Sequence, residues 1–149
     1  MKVKFLKEST VLGCDSEKLR KTLLKHTSQS IANSAAHSFA QNDILSDGFP
    51  STFAFSKVDG YPVIIKSYSF YKLFKNNTKF DCYVAVYVIK DDNLVRLAAN
   101  SINSFSPSKA RSVVMSLSKC TTLKGLLDKS LSFGLKKAFK VDEDFPELV

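Results

Sequence analysis

The run Phe80-Asp81-Cys82-Tyr83-Val84-Ala85-Val86-Tyr87-Val88-Ile89 constrains the fold more than any other part of this chain. It is dominated by β-branched and aromatic residues, which suit a pleated and packed surface, and it holds neither glycine nor proline. A strand is predicted over Phe80–Lys90, and a strand needs neighbours. Thr52–Val58, Tyr61–Phe74 and Leu94–Phe105 have the same character. Asp59-Gly60 and Asp91-Asp92-Asn93 stand between the runs, and short clusters of turn formers between apolar segments predict two hairpins.

Helical patterns flank this block. Asp15-Ser16-Glu17 offers an N-cap and early acids, and Leu19, Leu23, Leu24, Ile31, Ala35 and Phe39 follow at mostly helical spacing. One helix is expected over about 15–42, with a break open near Ser28 to Ser30. Asn42-Asp43 and Asp47-Gly48-Phe49-Pro50 end it. Ser106-Pro107 is a helix start, because serine caps exposed N–H groups and proline in the first turn loses no bond. From there Val113, Leu117, Cys120, Leu127, Leu131, Leu135 and Ala138 mark one apolar face, as one long helix or as two joined at Thr121-Thr122. Gly125 costs a helix interior about 1 kcal/mol relative to alanine and marks a place for a kink.

The order α-β-β-β-β-α predicts an α+β fold: a small, mainly antiparallel sheet of three to four strands between an N-terminal helix and a long C-terminal helix. With 149 residues, 44% of them hydrophobic, one domain over 1–149 is expected, with an acidic tail at about 141–149.

The net charge of +8 favours polyanions without identifying one. Its distribution says more. Residues 57–140 hold fifteen basic and five acidic side chains, whereas residues 141–149 hold Asp142, Glu143, Asp144 and Glu147 and no base. Cys14, Cys82 and Cys120 are widely spaced with no C-x-x-C pair, so neither a disulfide framework nor a zinc site is indicated, and a reducing cytoplasm is expected. No apolar run has the length of a signal peptide or a membrane span, so no membrane association is expected.

Catalytic signatures are missing. His26 and His37, if one helix carries both, stand about 16 Å apart and cannot share a metal ion. A two-histidine phosphodiesterase needs two His-x-Ser/Thr units, and only His26-Thr27-Ser28 supplies one. Asp91 and Asp92 read as turn residues, and Asp142, Glu143 and Asp144 as solvated charge. There is no phosphate-binding G-x-x-x-x-G-K-S/T loop among the five glycines. No cofactor, no metal and no enzyme activity are expected.

What remains is basic and aromatic. Lys66 to Lys79 interleaves four aromatics with lysines, and strand alternation places Lys66, Tyr68, Phe70, Lys72 and Phe74 on one face and Tyr71 and Lys75 on the other. Lysines neutralise phosphates while aromatic faces stack on unpaired bases, a combination suited to single strands. The competing reading makes the aromatics core and the lysines a solvated rim. The last helical region carries Lys109, Arg111, Lys119, Lys124, Lys129, Lys136 and Lys137, either as a solvated face or as one wall of a basic groove.

Thr122 to Glu147 resembles the terminal motif of phage single-strand annealing proteins, the recombination proteins grouped with Sak, Erf and RecT. The likeness rests on Lys124 and Leu126, on Lys129-Ser130, on Phe133-Gly134-Leu135 and on Glu143-Asp144-Phe145-Pro146; Asp128 departs from it. It implies ATP-independent binding and annealing of single-stranded DNA in a phage-infected or prophage-bearing host, with no catalytic residue. It also implies rings or helical filaments of identical protomers and DNA in a basic groove between helix and hairpin. A host or phage single-strand-binding protein is a further candidate partner. The candidate DNA contacts are Lys66, Tyr68, Lys72, Lys75, Lys79, Arg96, Lys109, Arg111, Lys124 and Lys129. A small basic inhibitor that blocks a host protein is the alternative, and a nuclease the third reading.

Overall fold

Both predicted hairpins close through residues with positive φ. Asp59 (50°) and Gly60 (81°) link the first pair of long strands, and Asp91 (52°) and Asp92 (58°) the second. Two consecutive positive φ values give a turn whose twist matches that of the flanking strands. In the computed structural model, which describes residues 10–13, 16–45, 52–74, 77–102, 106–138 and 144–148, these turns organise an antiparallel meander. Its strands are β1 (Thr10–Gly13), β2 (Thr52–Val58), β3 (Tyr61–Phe74), β4 (Asn77–Lys90), β5 (Asn93–Ile102) and the two-residue β6 (Lys136–Lys137). They lie in the order β1-β2-β3-β4-β5-β6, each paired with its neighbours in sequence.

The fold is α+β, as expected, but the sheet is wider than three to four strands and neither flank is a single helix. The four long strands are the ones predicted. β1 and β6 were not, because Thr-Val-Leu-Gly and Lys-Lys are too short to show alternation and are strands only by pairing with β2 and β5. The N-terminal helix divides into α1 (Ser16–Leu23) and α2 (Gln29–Leu45); His26 N–H and Thr27 N–H close the last turn of α1 on the Leu23 carbonyl, and Ser28 Oγ accepts the Ile31 N–H at 3.3 Å to start α2. The C-terminal helix divides into α3 (Pro107–Leu117) and α4 (Leu123–Ser132). Gly125 produces no kink, because it sits in the first turn of α4, where its N–H donates to Thr122 Oγ1.

The two helix pairs cover opposite faces of the sheet. Ala54, Val58, Val63, Ile65, Val84, Val86 and Val88 meet Val113, Val114 and Leu117 of α3 and Leu123, Leu126 and Leu127 of α4 in the larger core. Phe53, Phe55, Ile64 and Ile89 meet Leu19 and Leu23 of α1 and Ala32 and Ala35 of α2 in the smaller one. Burial on both faces explains why Phe53-Ala54-Phe55 and Val63-Ile64-Ile65 are apolar at successive positions. A bulge sets the register of β5: Val86 pairs with Ala98 but Tyr87 with Arg96, leaving Leu97 as the extra residue. Leu97 and Ala98 both enter the larger core, and Arg96 takes its place beside Tyr87 on the other face.

Candidate nucleic-acid interface

Residues at the ends of α3 and α4 hold that layer in register with the sheet. Ser106 Oγ caps α3 by accepting the Lys109 N–H. At the other end, the buried Ser56 hydroxyl of β2 donates to the Ser118 carbonyl at 2.9 Å. Asp59, in the β2–β3 turn, accepts the Leu123 N–H on Oδ2 at 2.8 Å and donates its own N–H to the Thr121 carbonyl. α4 ends just before Gly134 (φ 100°), and the Gly134 and Leu135 N–H groups return to the Leu131 and Ser130 carbonyls while Leu135 is buried. This is the terminator that a glycine with positive φ provides.

With the apolar side of the layer fixed inward, its cations face water. Lys109, Arg111, Lys119, Lys124, Lys129, Lys136 and Lys137 are all exposed, and Asp128 is the one carboxylate over residues 106–138. Lys124 Nζ lies 3.7 Å from that carboxylate, and Lys109 Nζ lies 5.7 Å from the centre of the Phe133 ring. Leu131, expected on the apolar face, is 41% exposed, while Leu127 is buried. Cys120 is half-buried; burial pushes its thiol up, against the opposing influence of Lys129.

Lys66 behaves differently. It pairs in register with Phe53 and Ala85, so it faces α1 and α2, and it is only 4% exposed. Its ammonium stands 5.6 Å, 5.7 Å and 5.6 Å from the ring centres of Tyr68, Tyr83 and Tyr87. Arg96 lies 5.8 Å from the Tyr87 ring and is itself exposed. Burial, with Arg96 adding, lowers Lys66 to about 8. Burial likewise raises Tyr68, and burial with Tyr83 adding pushes Tyr87 up to about 12 against the opposing influence of Arg96.

The structure therefore brings Lys66, Tyr68 and Arg96 together on one side of the sheet, and Lys109, Arg111, Lys124 and Lys129 on the other. The two sets do not share a groove. Lys72 and Lys79 are ladder partners in the β3–β4 hairpin, and Lys75 lies outside the described residues. The sequence reading missed Tyr83 and Tyr87. Their spacing of four on a strand puts both on one face, and the hairpin register that pairs Tyr68 with Tyr83 was the signal that would have added them.

The acidic C-terminal stretch is in part structural. Phe145 is fully buried in the larger core, and Lys90 Nζ donates to the Asp144 carbonyl at 2.6 Å and pairs with Glu147 at 3.3 Å. His26 lies outside both helices and stacks on Phe55 with ring centres 4.7 Å apart, whereas His37 is on α2, so the condition that one helix carries both histidines is not met. Among the described residues no group of three His, Cys, Asp or Glu side chains could hold a metal ion, and no helix is long and apolar enough to cross a membrane. Comparison with models of protein families, with curated proteins and with solved structures gives no match.

Proposed function

We propose that this protein binds single-stranded DNA and anneals complementary strands without nucleotide hydrolysis, using the outer surface of α3 and α4 as its phosphate-binding face. The observation that carries this reading is the set of five exposed cations on α3, α4 and their connection, Lys109, Arg111, Lys119, Lys124 and Lys129, against the one carboxylate of Asp128. Such a face gains affinity by releasing counterions from phosphates and carries no base-reading geometry, which fits binding with little sequence preference. Contacts by one protomer are few, so assembly into a ring or filament would convert later contacts along a strand into intramolecular ones. A place in phage-type recombination, and contact with a single-strand-binding protein, are what the likeness to annealing proteins adds.

The test is a salt series with single-stranded, duplex and sequentially added complementary oligonucleotides, with light scattering in parallel. If about five phosphates are neutralised per binding unit, log K against log salt falls with a slope near −3.5. Faster pairing of complementary strands and a DNA-dependent rise in mass are expected. A flat slope, or no binding at low salt, removes the reading; a monomer indifferent to DNA favours a protein-binding inhibitor instead. A strict monomer that still anneals would contradict assembly alone.

A further inference from the structure

We propose that the tyrosine-lined cluster of Lys66, Tyr83, Tyr87 and Arg96 is a separate binding site for a single phosphate group. The site is independent of the DNA-binding role of α3 and α4, since the cluster lies on the opposite face of the sheet. Three features of the geometry carry it. Two cationic side chains from β3 and β5 are held against one ring on β4, Lys66 at 5.6 Å and Arg96 at 5.8 Å from the centre of Tyr87. Tyr68 packs on Tyr83 with ring centres 5.4 Å apart, and the Lys66 ammonium lies 5.7 Å from the Tyr83 ring, so phenols of β3 and β4 line the same cluster as the two cations. The cluster is graded from a buried Lys66 through half-buried Tyr83 and Tyr87 to an exposed Arg96, so its guanidinium end meets solvent.

The placement follows from the sheet. The β5 bulge brings Arg96 opposite Tyr87, and the ladder puts Lys66 level with Ala85, whose small side chain leaves Tyr83 and Tyr87 within reach of the ammonium. Arginine offers a planar fork matched to phosphate oxygens, lysine a point charge, and phenols neutral donors, a set that suits a compact tetrahedral anion. The surroundings hold the ammonium below its ordinary range. An anion at the cluster would favour the charged form again, so phosphate binding and protonation of Lys66 should reinforce each other.

The phosphate could be free or part of a nucleic acid strand, and the experiment separates the two. Inorganic phosphate is titrated into the full chain by calorimetry, for the wild type, Arg96→Gln, Lys66→Met and the exposed control Lys25→Gln. Saturable binding is expected, weakened at least fivefold by Arg96→Gln and tenfold by Lys66→Met, and unchanged by Lys25→Gln. Arg96 is exposed, so its variant remains informative should Lys66→Met fail to fold. Repeating the titration with saturating oligothymidylate identifies the source: lost phosphate binding assigns the site to the strand, retained binding to a free phosphate, and both outcomes support it. No saturable phosphate binding, or equal binding by Arg96→Gln and Lys25→Gln, overturns the proposal, and neither result bears on oligonucleotide binding by the helix face.

Discussion

On the side of the sheet covered by α3 and α4, leucines, valines and Phe145 fill the core and every described cation of residues 106–138 stands in solvent. On the side covered by α1 and α2, the described helix residues in the core are Leu19, Leu23, Ala32 and Ala35 with Ile31 against them, and a lysine lies within the layer among three tyrosines. Where packing is bulky and continuous, the charges add up as a diffuse field that salt will screen. Within the other layer, one cation is held in a defined geometry and its proton affinity changes. The same residue type supplies many weak, interchangeable contacts on one side and one specific environment on the other.

The largest expected effect tests the bulky side. Phe145→Ala should cost about 3–5 kcal/mol in denaturant unfolding, as for other buried aromatics. A loss below about 1 kcal/mol would mean that the C-terminal stretch merely rests on the core.

Next in size is the contrast in DNA affinity. Lys119, Lys124 and Lys129 changed together to Gln should weaken oligothymidylate binding about 100-fold at 0.1 M salt and flatten the salt slope by about 2, because each single-strand phosphate contact contributes about 0.7 to that slope. Lys66→Met should change it less than about fivefold. Equal losses would erase the division of labour between the two sides.

A third measurement concerns protons. With Lys66 lowered to about 8 from 10.5, the unfolded chain keeps a proton that the folded chain has released, so folding stability rises with pH between these values. Tyr68 and Tyr87 are raised, so above about pH 10 the unfolded phenols ionise first and stability falls again. From pH 8 to 9.5 the wild type should gain about 1–2 kcal/mol relative to Lys66→Met, since each tenfold change in proton affinity is worth about 1.4 kcal/mol. Groups common to both proteins cancel, and parallel pH curves would show that Lys66 titrates as a solvated lysine.

The smallest effect is expected at the surface pair. Asp128→Ala, removing the partner of Lys124, should alter stability by less than about 0.5 kcal/mol while strengthening DNA binding by its one unit of charge. Circular dichroism melts and the same titration check both halves.

The limits of β2 and β3 were legible because turn formers bracket runs that are apolar on both faces, and the start of α3 because Ser106-Pro107 is a local signal. The division of each flanking helix was less so: the break at Ser118 to Thr122 depends on Ser56 and Asp59, partners about sixty residues away in sequence. The candidate site was half legible. Exposure of Lys124 and Lys129 follows from helical spacing, but the burial of Lys66 depends on where α1 and α2 land and on a bulge with no local signature. Several residues behind the likeness to annealing proteins have structural work here. Thr122 caps α4, Gly134-Leu135 terminates it, and Phe145 fills the core. Those positions report how a helix begins, ends and is packed, and the DNA reading rests on the cations between them.

The strand order also bears on how the chain comes together in time. Because each strand pairs only with its neighbours in sequence, every ladder from β2 to β5 can zip as soon as its second strand has left the ribosome, with a two-residue turn as the only loop to close at both described hairpins. Pairings so local favour rapid folding. The packing of α3, α4 and Phe145 is not local, and Phe145 comes last: it reaches a core whose walls were synthesised up to about ninety residues earlier, so the nascent sheet carries an unfilled apolar socket until that phenylalanine arrives.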